Sequence, residues 1–234
     1  MRALSDLQQQ RRCSFLHFGL MLAFIATFLS SWSGAAQADN DKYAALVMDS
    51  DTTRVLFSRN ADKLLHPASL TKMMTLLMTF EAIEHGKLYP GQRIRISRHA
   101  ASMVPSKLGL SPGASIKVKN AIPVLVTKSA NDVAVALAEA IAGSESRFAM
   151  QMTRKAHDIG MTRTRFRNAS GLHHPQQVST ARDMARLGQY MIQQYPGYYD
   201  HFDRPRFRYE GKTYRNHNHM LSNYRGMDGI KTGY

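Results

Sequence analysis

The chain has 234 residues, 44% of them hydrophobic, with 31 Lys and Arg against 17 Asp and Glu and a formal net charge of +14. That length and apolar content support one or two domains with a real core. The single cysteine excludes a disulfide framework and any Cys-based metal site. The basic residues are scattered, with no basic helix, zinc-finger spacing or RNA-binding aromatic signature, so nucleic acid is not an expected partner.

The first 38 residues read as a secretory signal peptide. Arg11 and Arg12 form a positive start, Phe18 to Leu29 is a 12-residue apolar run, and Ala36-Gln37-Ala38 fits the small-residue cleavage pattern. Twelve apolar residues are too few to cross a bilayer comfortably. Arginine spacing departs from a twin-arginine signal, which favours ordinary secretion across the inner membrane to the periplasm. Cleavage would remove Cys13, three arginines (Arg2, Arg11, Arg12) and Asp6, lowering the charge from +14 to +12. A cationic exported domain over residues 39–234 should be drawn to anionic surfaces, membrane headgroups or cell-wall polymers.

The mature part opens with "YAALVM" (43–48) and "RVLFS" (54–58) around a turn-rich "DSDTT", a β-hairpin pattern. Pro67 stands where a helix begins, and Ser69 to Glu84 follows helical apolar spacing. "YPGQ" and "LSPGAS" are turns beside short extended pieces. "NAIPVLVTKSANDVAVALAEAIAG" reads as two helices with a loop at Lys128 to Asn131, an N-cap at Asn131 or Asp132, and a stop at Gly143. Ser144 to Asp158 and Thr180 to Gln194 are further helices, the second capped by Thr180 or Ser179, with "RNASGLHH" a loop between them. "RFRYEGKTYRN" is a second hairpin turning at Glu210-Gly211. Strands at both ends around a helical middle predict a mixed domain with one antiparallel sheet drawn from both chain ends.

Ser69 and Lys72 form an S-x-x-K pair, which arises by chance about once in a chain this long. On a helix, positions three apart share a face, so the Lys72 amine can reach the Ser69 hydroxyl. A serine needs an adjacent base to attack a carbonyl near neutral pH, and a lysine serves only if burial or a second cation lowers its pKa. Leu70, Met73, Met74 and Leu76 offer that burial; helix capping by Ser69 with a snorkelling Lys72 is the ordinary alternative. Ser129-Ala130-Asn131 adds an S-x-N tripeptide at a helix–loop junction, though Ser58-Arg59-Asn60 matches it too. Lys231-Thr232-Gly233 adds K-T-G, expected by chance roughly once in several thousand positions. On an edge strand, a lysine and hydroxyl can hold a carboxylate while glycine admits a substrate backbone.

The three motifs in this order are the signature of serine penicillin-recognising enzymes. From Tyr43 to Tyr234 the chain resembles low-molecular-weight penicillin-binding proteins, the serine D-alanyl-D-alanine carboxypeptidases. "HPASLTKMMT", "PSKLGL", "KSANDVAVALAE", "AGSESRF", "IGMTRTRFRNASGL", "STARDMARL" and "MDGIKTGY" carry the resemblance. It implies an α/β (α+β), β-lactamase/DD-peptidase-like fold, with a helical subdomain and a sheet left incomplete because the chain stops after K-T-G. It also implies Ser69 as nucleophile, Lys72 as its base, Ser129 as proton relay and Asn131 as the holder of the substrate amide. Lys231 and Thr232 would engage the terminal carboxylate beside Gly233, and the backbone N–H groups of Ser69 and Tyr234 would form the oxyanion hole.

Expected partners are peptidoglycan stem peptides ending in D-Ala-D-Ala and β-lactam antibiotics; no metal or cofactor is needed. His173-His174 and His217-x-His219 lack a third ligand at a telling spacing. A class A-like β-lactamase would need a deacylating glutamate, and none lies between Glu145 and Glu210. A non-catalytic binding remnant is the other alternative.

Overall fold

The computed structural model describes residues 42–233; the expected signal peptide and Tyr234 lie outside them. Strands β1 (Ala45–Met48) and β2 (Val55–Arg59) pair antiparallel. A single 3₁₀ turn, Ala68–Leu70, leads into α1 (Thr71–Glu84). Then come β3 (Arg93–Arg95), the short α2 (Arg98–Ala101), β4 (Ser115–Lys117), α3 (Val118–Thr127), α4 (Asn131–Ala142) and α5 (Glu145–Asp158). After a long loop follow α6 (Ala181–Gln194), α7 (Pro196–Tyr199), β5 (Arg206–Tyr209), β6 (Lys212–Arg215) and α8 (Met220–Asn223).

Helix α1 is buried on all sides from Thr71 to Phe80. A helix without a polar stripe can only sit inside a core, and α1 packs against α3, α4, α5 and α6. Helix α4 is buried from Asn131 through Ala138 and forms the other half of the centre. The amphipathic helices α5 and α6 close the outside, each with a side-chain cap at its start: Ser144 accepts from Arg147 N, and Thr180, rather than Ser179, accepts from Asp183 N. Gly143 ends α4 at φ +78, the left-handed stop that glycine adopts without strain.

Two expectations change. The N-cap of α4 is Ala130, whose side chain caps nothing. Asp132, fully buried, instead accepts from the backbone N–H groups of Leu108, Gly109 and Leu110 at 2.9, 2.8 and 3.4 Å. The carboxylate thus pins the 104–110 loop over the front of α4. Asp132→Ala should cost about 1–3 kcal/mol, because these part-buried N–H donors lose their charged acceptor; urea unfolding checks this.

The second change concerns the sheet. Among the described residues the strands form three separate two-stranded ribbons, β1–β2, β3–β4 and β5–β6, and strands from the two chain ends do not pair. The ends are held by different helices: β1 packs on α6, whereas β5 and β6 pack on α3. Residues 231–233 form no strand. Consequently β2 is exposed along its length, including Val55, Leu56 and Phe57.

Candidate active site

Ser69 lies at the middle of the 3₁₀ turn, and Lys72 one turn later is completely buried. The turn is held from behind. Gly171, at φ +87, packs so closely that a Cβ there would lie 1.9 Å from the Ala68 carbonyl oxygen and 3.0 Å from Ser69 N. Thr75, one turn beyond Lys72, ties α1 to the same loop by donating to Ala169 O at 2.7 Å.

The Lys72 amine faces three acceptors: Ser69 Oγ at 3.3 Å, Asn131 Oδ1 at 2.8 Å, and the Ser170 carbonyl. Burial pulls its pKa from 10.5 to about 7, helped by the positive charge of Lys231. Lys231 is itself lowered to about 8 by burial. A neutral amine has two N–H bonds and one lone pair. If the two N–H bonds go to Asn131 and Ser170, the lone pair is left facing the Ser69 hydroxyl.

Asn131 is fixed from both sides, its Nδ2 donating to Val104 O at 2.9 Å and its backbone N to Ser106 O at 2.7 Å. Ser129 stands at the α3–α4 junction with φ +56, a left-handed conformation unusual outside glycine, and its buried Oγ has no hydrogen-bond partner among the described residues. Buried hydroxyls are ordinarily satisfied, so this one is available to a bound molecule.

These groups surround one cleft of about 650 Å³, lined by Ser69, Ser129, Asn131, Thr232 and Gly233 among others. Gly233 sits against the Ser69 turn: a Cβ there would lie 3.5 Å from Pro67 O. The three motifs, the first and last of them more than 160 residues apart in the chain, therefore meet. Lys231 supplies charge from beside the cleft and donates to Thr232 O at 3.2 Å.

Sequence reasoning missed Ser106, Ser170, Gly171, His173 and His217 as cleft residues. A glycine in "NASGL" was the one available signal. His217 is held below its ordinary pKa, first by burial, then by the charges of Lys231, Lys128, His219 and Lys72. No carboxylate is among the described residues that line the cleft, while the Lys231 charge acts on Lys72 and His217 beside it, an arrangement that favours an anionic ligand group. Among the described residues there is no group of three His, Cys, Asp or Glu able to hold a metal, and no helix long and apolar enough to cross a membrane.

Residues 32–234 match the D-alanyl-D-alanine carboxypeptidase family. The chain belongs to that family. It is 35% identical over 234 residues to the D-alanyl-D-alanine carboxypeptidase DacF of Bacillus subtilis, covering 96% of this chain and 60% of the relative. To DacA of Escherichia coli it is 35% identical over 208 residues, covering 86% and 51%. Thus the chain spans about half to three-fifths of these curated relatives. Among solved structures, penicillin binding protein 5 from Haemophilus influenzae superimposes with a TM-score of 0.79 at 30% identity, covering 86% of this chain and 60% of that one. Ampicillin-bound penicillin-binding protein D2 from Listeria monocytogenes gives 0.75 at 28% identity, covering 83% and 79%. The DD-peptidase fold class expected for this family member holds, with its sheet present only as short antiparallel ribbons.

Proposed function

We propose that this chain is the catalytic part of an exported serine DD-peptidase that releases the terminal D-Ala of peptidoglycan stem peptides and is acylated by penicillin. The observation that supports it most is Lys72 Nζ, buried and shifted to about 7, standing 3.3 Å from Ser69 Oγ.

In this reading the neutral Lys72 amine takes the Ser69 proton while Ser69 Oγ bonds to the carbonyl carbon of the penultimate D-Ala. Charge developing on the carbonyl oxygen is met by backbone N–H groups at the Ser69 turn. The second N–H of the expected oxyanion hole belongs to Tyr234, outside the described residues. Ser129 passes its hydroxyl proton to the leaving nitrogen and regains one from the Lys72 ammonium, so the C–N bond breaks with D-Ala leaving as a neutral amine. Water, deprotonated by Lys72, then attacks the ester and returns Ser69. Lys231 and Thr232 hold the free carboxylate, and Asn131 the acyl-side amide.

The absence of a carboxylate among the described cleft-lining residues favours slow hydrolysis of a β-lactam adduct over the fast turnover of a β-lactamase. A non-catalytic binding role is the second reading, favoured by the lack of any strand at residues 231–233. The test is intact-mass spectrometry with benzylpenicillin, joined to D-Ala release from a D-Ala-D-Ala tripeptide. A gain of one intact penicillin on wild type, absent in Ser69→Ala, together with D-Ala release, is expected. An unmodified wild-type chain overturns the proposal, and an adduct without D-Ala release selects the binding role.

A further inference from the structure

Strand β5 of the β5–β6 hairpin alternates between half-buried and exposed residues. The hairpin's inner face carries Phe207 and Tyr209, half-buried beside α3, while Arg206, Arg208, Thr213 and Arg215 point outward. The turn places Glu210 at φ +45 and Gly211 at φ +77, a two-residue geometry that fixes the register without slippage. That register sets Arg206 directly opposite Arg215. Directly opposed side chains on one face have Cβ atoms about 4.5–5.5 Å apart, and like charges there destabilise the ribbon. Neither guanidinium has a hydrogen-bond or ion-pair partner among the described residues.

Both arginines open onto a cavity of about 200 Å³ shared with His219, Ser222 and Asn223. Its floor is built from two committed asparagines. Asn216 donates to Arg204 O at 2.9 Å; Asn218 donates to Gly229 O at 3.0 Å and accepts from Met220 N at 3.2 Å. Among the described residues no carboxylate lines it, and it shares no lining residue with the cleft of Ser69.

We propose that this cavity is a binding site for a phosphoryl group, clamped between Arg206 and Arg215. An anion there turns the cross-strand repulsion into two attractions. A carboxylate has two oxygens and is saturated by one guanidinium fork, whereas a phosphate has enough oxygens for two forks and the neighbouring donors. The same chemistry could come from free phosphate, a phosphorylated glycan or a phosphomonoester lipid headgroup.

Equilibrium dialysis with radiolabelled inorganic phosphate at fixed ionic strength tests it. Comparison is made with Arg206→Gln/Arg215→Gln and with Arg93→Gln/Lys117→Gln, which removes the same charge from another ribbon. Wild type and the control pair should bind one phosphate per chain, weakening as salt rises, and the first pair should bind about tenfold more weakly or worse. A parallel sedimentation arm uses phosphatidic acid vesicles against phosphatidylcholine vesicles. Recruitment that requires both arginines assigns the phosphate to a headgroup; dialysis binding without recruitment assigns it to a soluble source. Absence of both, or equal loss in the two double variants, overturns the site. Far-UV circular dichroism of each variant excludes misfolding, and the readout is independent of whether Ser69 reacts with penicillin.

Discussion

Replacing Lys72 with glutamine should slow acylation of Ser69 by penicillin about 10²–10⁴-fold, the span covered by loss of a positioned general base. Glutamine retains an NH₂ group for Asn131 Oδ1 and the Ser170 carbonyl, but its amide nitrogen has no basic lone pair. Loss of rate would therefore report the base more than the packing. The pH profile makes the assignment specific. Lys72 is lowered to about 7, so its amine is protonated below that pH and free above it; wild-type acylation should rise through about pH 7. Burial lowers Lys231 to about 8, so the charge that the proposed mechanism uses to hold the carboxylate is lost above that pH. The wild-type kcat/KM profile is thus a narrow bell, and Lys72→Gln should lose the acidic limb. Stopped-flow measurement of penicillin acylation between pH 5 and 10 gives both limbs. An unchanged acidic limb in the variant would assign it to another group.

Gly171→Ala is the second large effect, expected to cost roughly 3–5 kcal/mol, at the upper end for single substitutions. Two costs combine. A φ of +87 is strained for any residue with a Cβ, and the new Cβ would occupy the position of the Ala68 carbonyl, 1.9 Å away. That contact is with backbone, so relief requires moving the very turn that carries Ser69. Thermal unfolding should show the loss of stability, and penicillin acylation at a temperature where the variant remains folded should fall as well. Gly86→Ala is the comparison: its φ is also positive, +68, but nothing lies within 4 Å of the added Cβ. It should cost only the backbone strain, about 1 kcal/mol, and leave acylation unchanged.

Local elements were readable because their signals are local. The turn at Glu210-Gly211, the cap at Thr180 and the stop at Gly143 depend on a few adjacent residues, and each appears where the pattern places it. Asp132 was misread for the opposite reason. As a helix-start carboxylate it resembles a cap, but its partners are the N–H groups of residues 108–110, more than 20 positions upstream.

Reactive residue types, their order and the family were determined by the sequence alone, since S-x-x-K, S-x-N and K-T-G together leave little room for coincidence. Which groups tune them was decided only by tertiary structure. Asn131 and the Ser170 carbonyl orient the Lys72 amine, burial and then the charge of Lys231 depress its proton affinity, and Gly171 buttresses the Ser69 turn. Those effects operate through burial, charge at a distance and backbone contact across some 60 to 160 residues of chain. None of the three is a property of neighbouring letters, so only the folded chain contains them.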